Sequence, residues 1–104
     1  MTRLFLVSEA GQQVWVAALI DEDIWTYVAN TGRFHRNAGL RHDFFVLNEL
    51  EYAEIGLSEA RRLIAAGLGT LTEEWQSDAL DAWQQDPQAL TTEDVFASHI
   101  ADLA

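Results

Sequence analysis

The chain of 104 residues predicts an α+β fold, in which a small antiparallel sheet is followed by three helices. Residues 3–29 contain three apolar runs that short polar turns separate, which is typical of an antiparallel meander. From residue 58 onward, apolar residues recur every three or four positions, as on the buried side of a helix. Strands first and helices afterwards are the order of the α+β class.

The predicted strands lie close together in the sequence. Residues 3–7 and 13–20 are joined by a turn at Gly11, and residues 24–29 follow an acidic turn. Because residues 13–20 are apolar on both faces, they predict a central strand that is covered on both sides or packs against a second copy of the chain. Residues 50–55 alternate apolar and acidic side chains, which predicts a fourth strand at an edge of the sheet.

Residues 30–45 connect the third strand to the fourth and show no clear period. We predict an irregular loop with a short helical turn. Asn37 is a suitable N-cap for a helix through Leu40 to Phe45. The alternative is a strand that begins in residues 44–47.

Three amphipathic segments predict the helices. The first covers residues 58–67, with Ser58 as its N-cap and glycines at its end. The second covers residues 72–85 and has glutamates in its first turn, where the helix dipole favours negative charge. The third covers residues 92–103 and also begins with acidic side chains.

Length and composition predict the organisation and the compartment. Residues 1–104 are enough for one small domain, in which residues 72–104 either pack on the sheet or form a semi-independent arm. The N-terminus lacks a signal peptide pattern, and no run approaches the ~20 apolar residues of a membrane span. Cysteine is absent, which excludes disulfides and thiolate metal sites. We therefore expect a cytoplasmic protein with no membrane contact.

The charge of the chain is strongly negative. The net charge is −11, all six cationic side chains are arginines, and residues 63–104 contain eight acids and no arginine. Such a surface repels phosphate, so we expect no direct binding to nucleic acid. It is well suited to a protein partner that carries a basic patch.

Residues 30–45 are nonetheless rich in cations. Five side chains form the candidate anion-binding site: Arg33, His35, Arg36, Arg41 and His42. Arginine binds carboxylate or phosphate through paired hydrogen bonds, and nearby glycines let backbone N–H groups approach an anion. The alternative is that these arginines form ion pairs within the chain and brace it. No nucleotide, metal-binding or nucleophile motif accompanies them, so we predict no cofactor, metal or catalytic residue.

The acidic second half supplies a candidate partner-binding site. It combines tryptophan, which is common at interfaces, with exposed acids, and consists of Trp75, Asp78, Asp81 and Trp83. A solvated helix face with its tryptophans in the core is the alternative. The sequence thus predicts a non-catalytic, macromolecule-binding protein of regulatory, inhibitor or immunity-like type. The second hypothesis is a domain that binds a small anion or nucleotide through residues 31–42.

Overall fold

The structure is a computed structural model and describes residues 1–72 and 77–103. Within these residues it confirms the α+β fold, as six antiparallel strands in the order β5-β1-β2-β3-β4-β6 and four helices rather than three. The strands are β1 (Thr2–Glu9), β2 (Gln12–Ile20), β3 (Asp23–Val28), β4 (Arg33–Arg36), β5 (Glu51–Ile55) and β6 (Leu90–Thr91). The helices are α1 (Ala38–His42), α2 (Leu57–Ala65), α3 (Ser77–Gln84) and α4 (Thr92–Leu103), and a π-helical turn covers Asp43–Leu47. None of the described helices is long and apolar enough to cross a membrane.

The first four strands form a meander in which each strand is antiparallel to the next. Thr2 of β1 pairs with Ile20 of β2, and Ile20 pairs with Asp23 of β3 across a two-residue turn. β5 then returns to pair with β1, with Ile55 opposite Leu4, and forms an edge of the sheet. The three predicted N-terminal strands and the predicted edge strand are confirmed.

The prediction for residues 30–45 is wrong at its start and right in its middle. Arg33–Arg36 is not a loop but the strand β4, because the chain turns back after β3 and buries Phe34 and His35 on opposite faces of the sheet. Asn37 caps a short helix as predicted, since its Oδ1 accepts a hydrogen bond from the N–H of Leu40 at 3.0 Å. The alternative of a strand in residues 44–47 is wrong, because the π-helical turn continues from α1.

The helix α2 begins one residue earlier than predicted and has a different cap. β5 ends at Ile55, and the extended backbone of Gly56 leads directly into the helix, so Gly56 is the N-cap and Ser58 lies within the first turn. The helix ends at Ala65, two residues before the predicted end, and the predicted glycines follow it. Gly67 adopts a left-handed conformation, and the N–H groups of Gly67 and Leu68 donate to carbonyls of the last helical turn.

The last two helices follow the predicted segments. α3 lies within the predicted residues 72–85, of which 73–76 are outside the described part of the chain. α4 covers the predicted residues 92–103, and the hydroxyl of Thr91 accepts a hydrogen bond from the N–H of Asp94. That residues 72–104 behave as a semi-independent arm stays a prediction.

The sheet is covered on both faces. We call face A the side that carries Leu4, Val16, Trp25 and Phe34, where α2 and α4 contribute buried side chains, among them Leu63 of α2 and Val95 of α4. Face B carries Phe5, Ala17, Thr26 and His35. It is covered by α1 with the π-helical turn and, over β2 and β4, by Trp83 of α3. Residues 16–19 of the central strand β2 are therefore buried on both sides within one chain.

Candidate functional site

The structure distributes the five predicted anion-binding residues instead of collecting them. Arg33 is exposed at the start of β4, and His42 is exposed on α1. His35 is fully buried on face B. Arg36 lies beside Trp25 of face A, and Arg41 lies on α1. Of these five side chains, Arg36 and Arg41 share an ion-pair partner.

Arg36 and Arg41 meet at a carboxylate of the same chain. Asp23 accepts both, with Arg36 Nη2 at 3.5 Å from Oδ2 and Arg41 Nε at 3.8 Å from Oδ1. Arg41 Nε also donates to the carbonyl oxygen of Glu22 at 2.6 Å. All three charged side chains are 41–51% exposed, so these ion pairs contribute little stability. An anion that bound both guanidinium groups would have to compete with Asp23.

His35 joins β4 to the segment that follows α3. Its Nδ1 is 3.1 Å from Asp86 Oδ2, and its Nε2 is 2.6 Å from Thr31 Oγ1. The indole of Trp83 stacks on the imidazole at a centroid distance of 5.7 Å and packs edge-on against Trp15. Partial burial opposes the ionisation of Asp86, but the hydrogen bond from His35 and one from a backbone N–H hold the pKa of Asp86 below its ordinary value. We call this group the His35 latch.

The His35 latch has the order carboxylate, imidazole, hydroxyl, which is also the order of a nucleophilic triad. Its surroundings differ from those of such a triad. The N–H groups of Thr31 and Gly32 both donate to the carbonyl of Val28, and the N–H of Arg33 donates to Thr31 Oγ1. These nearby donors are thus already engaged and do not form an oxyanion site. The contacts of the latch are those of a structural tie between β4 and the end of α3.

Asp43 fixes the C-terminal end of residues 30–45 and the loop that follows them. Its carboxylate accepts hydrogen bonds from the N–H groups of Glu49 and Leu50 and, at 2.6 Å, from the hydroxyl of Tyr52. The hydrogen bond from Tyr52 does most to hold the pKa of Asp43 below its ordinary value, although burial opposes it. Burial and the contact with Asp43 raise the pKa of Tyr52. The loop between the π-helical turn and β5 is therefore closed around one carboxylate.

The π-helical turn presents three consecutive large apolar side chains to solvent. Phe45, Val46 and Leu47 are 48%, 63% and 50% exposed, and we call them the apolar ridge. The residue before them, Phe44, packs edge-on against Phe5 and Tyr52 and anchors the turn on face B. We did not predict the ridge, although four successive apolar residues, 44–47, are a signal for it, because a single helical turn cannot bury all four on one side.

The predicted partner-binding residues have different environments. Asp78 and Asp81 are exposed on α3, a helix with no buried residue. Trp83 is half-buried in the His35 latch. Trp75 lies outside the described residues. The acids of α3 and the apolar ridge are both on the side of the molecule that covers face B.

Within residues 1–72 and 77–103, no three His, Asp or Glu side chains are grouped so that they could hold a metal ion. Models of protein families, curated protein sequences and solved structures gave no match to this chain.

Proposed function

We propose that the protein is a non-catalytic module that binds another protein, and that the apolar ridge is the anchor of the interface. The observation that carries the proposal is the exposure of three consecutive large apolar side chains on a turn that is itself fixed. Single exposed apolar residues are common on soluble proteins, whereas a contiguous group marks an interaction site.

The rigidity of the turn supports the proposal. Phe44 anchors the turn from below through Phe5, and Asp43 closes the loop that follows it with three hydrogen bonds. On one flank of the ridge, the guanidinium of Arg41 lies 5.2 Å from the ring centroid of Phe45. An anchor that is held in place before binding loses little conformational entropy in the complex.

The charge of the chain indicates what kind of protein the partner is. A net charge of −11 attracts a basic surface over a long range. Asp78 and Asp81 add exposed acids on the side of the sheet that carries the ridge. We infer a partner with an apolar pocket beside a patch of lysine or arginine, and we propose that the two meet in the cytoplasm, where a cysteine-free chain is at no disadvantage.

The ridge should account for a measurable part of the affinity. Complete burial of a Val or Leu side chain contributes ~1.5–3 kcal/mol. Val46 and Leu47 are 63% and 50% exposed, so burial of the remaining surface is worth about 1 kcal/mol each. A Val46→Ser/Leu47→Ser double variant should therefore bind the partner roughly thirtyfold more weakly.

The test is capture of partners from a lysate of the source cells, at low and at high salt, with three forms of the immobilised protein. These are the wild type, the Val46→Ser/Leu47→Ser variant and an Ile100→Ser control. Ile100 is 50% exposed, like Leu47, but lies on α4, the helix whose Val95 and Phe96 cover face A. A partner of the proposed kind is retained by the wild type and by the control, is lost with the double variant, and is weakened by salt.

Two results would count against the proposal. One is a set of captured proteins that the double variant retains as well as the wild type does. The other is sedimentation that shows a dimer in the wild type and a monomer in the double variant, which would place a second copy of this chain on the ridge.

A further inference from the structure

A cleft opens where β2 and β3 separate. The two strands pair from Ile20 opposite Asp23 only as far as Ala17 opposite Thr26. The first part of β2, residues 12–15, continues along β1 with a β-bulge at Val14, and among the described residues it has no partner strand on its other side. The space beside it is a cleft of about 340 Å³, with residues 12–15 as one wall and residues 67–71 as the other.

The wall opposite β2 is a loop that is held firmly in place. The carbonyl of Gly69 accepts a hydrogen bond from the N–H of Ala29, just beyond β3. Gly69 has a φ of +93°, and a Cβ there would stand 2.4 Å from the carbonyl oxygen of Tyr27. The side chain of Asn30 binds both backbone groups of Leu71, at 2.7 and 3.0 Å. The loop occupies the place beside β3 that β2 has left, so the cleft is preformed.

The described residues that line the cleft are uncharged, although 22% of the chain is Asp, Glu or Arg. Gln12 and Gln13 are exposed, and their amide groups have no hydrogen-bond partner among the described residues. Trp15 is half-buried at the end of the same wall. The backbone of these residues forms a strand edge, which is a template for pairing with another chain in extended conformation.

We propose that this cleft binds an uncharged peptide segment in extended conformation, which pairs with residues 12–15 as an added strand. Strand addition obtains its affinity from main-chain hydrogen bonds and its selectivity from the side chains on either side. Here the amides of Gln12 and Gln13 can donate to and accept from polar side chains of the peptide, and Trp15 offers an apolar surface. A charged side chain in the cleft would find no opposite charge among the described residues of its walls. The proposal does not depend on the apolar ridge.

The experiment titrates the full chain with defined peptides and follows backbone amide shifts by NMR. The probe is a capped pentapeptide of alternating threonine and valine. Two further peptides carry N-methyl groups on the threonines or on the valines, and each of them lacks the N–H donors of one edge of the strand. A fourth peptide has glutamate in place of threonine. We expect saturable shifts at residues 12–15 and 67–71 with the probe, and at least a tenfold loss of affinity with one N-methylated peptide and with the glutamate peptide.

Two protein variants sharpen the test. Gln13→Phe fills part of the cleft and should weaken the binding of the probe at least tenfold. Gln88→Phe places the same side chain at another exposed position, outside the cleft, and should leave the affinity unchanged. The amide spectrum of each variant reports directly whether it is folded.

Three outcomes would overturn the proposal. Equal binding of the probe and of both N-methylated peptides would show that strand pairing is not involved. Shifts confined to residues outside the cleft, or no saturation up to about 10 mM probe, which corresponds to a binding free energy weaker than about −3 kcal/mol, would show that the cleft does not take such a peptide. Saturable binding of maltose in the cleft, without binding of the probe, would assign the cleft to a sugar.

Discussion

Replacement of Asp86 by alanine tests whether the His35 latch holds the end of α3 against the sheet. His35 is fully buried, and Asp86 is the partner of its Nδ1 at 3.1 Å. The substitution leaves that ring nitrogen without a partner, because Thr31 bonds to the other one. A buried polar group that loses its partner costs about 1–3 kcal/mol. We expect the free energy of unfolding to fall by about 2 kcal/mol and the melting temperature to fall by roughly 8–16 °C.

Urea unfolding of the wild type, Asp86→Ala and Asp81→Ala measures this effect. Asp81 is an exposed acid on α3, and its substitution should change the free energy of unfolding by less than about 0.5 kcal/mol. Equal unfolding midpoints for Asp86→Ala and Asp81→Ala would refute the reasoning, because they would show that the buried imidazole does not depend on the carboxylate.

The pH dependence of the same comparison has a definite sign. The pKa of Asp86 in the folded protein lies below its ordinary value. Its contribution is therefore complete above the pKa of an unfolded aspartate, ~3.9, and is lost as the pH falls through the lower value of the folded state. As the pH falls below about 4, the difference between wild type and Asp86→Ala should therefore shrink. A difference that grows as the pH falls would contradict this assignment.

Three further predictions concern other parts of the chain. Asp43→Asn should lower the free energy of unfolding at neutral pH, because the pKa of Asp43 is also lowered in the folded protein. The difference from the wild type should disappear as the pH falls below ~4, and urea titrations at several pH values measure this difference. Gly69→Ala should lower the free energy of unfolding by about 3 kcal/mol, because residue 69 has a left-handed backbone and its Cβ would collide with a carbonyl of β3. Gly11→Ala should lower it by about 1 kcal/mol, because residue 11 is also left-handed but has open space around it. Thermal unfolding distinguishes the two variants. Addition of about 10 mM phosphate should not raise the melting temperature of the wild type, since Asp23 occupies the two arginines that meet. A rise in the melting temperature would favour the anion-binding hypothesis.

The part of the fold that the sequence predicts is the part that short-range patterns determine. β1, β2 and β3 are apolar runs between clear turn sequences, and α4 begins at a threonine that two acidic residues follow. β4 has none of these signals. Its four residues include two arginines and a histidine, and they form a strand because β3 supplies hydrogen bonds and both faces supply partners for Phe34 and His35. A strand of this kind is specified by tertiary contacts, which a local pattern does not contain.

For the candidate site, too, the sequence predicts local features but not the contacts between distant residues. Composition alone identifies residues 30–45 as unusual, since they hold three of the six arginines. The role of each side chain depends on partners far away in the sequence. Asp86, the partner of His35, is 51 positions away and is one of 17 acids in the chain. Nothing in the spacing of His35 selects that acid from the others.

Residues 30–47 therefore divide into two halves with different roles. In the first half, two of the predicted anion-binding residues are engaged in the fold: Arg36 pairs with Asp23, and His35 is enclosed between β4 and Trp83. In the second half, the carboxylate of Asp43 and the ring of Phe44 fix the π-helical turn in place. The three apolar side chains that follow on this turn are exposed to solvent. Exposure of that much apolar surface opposes solubility, whereas a net charge of −11 favours it. The acidic character of the chain and its apolar ridge are thus complementary, since the charge opposes the self-association that the exposed ridge favours.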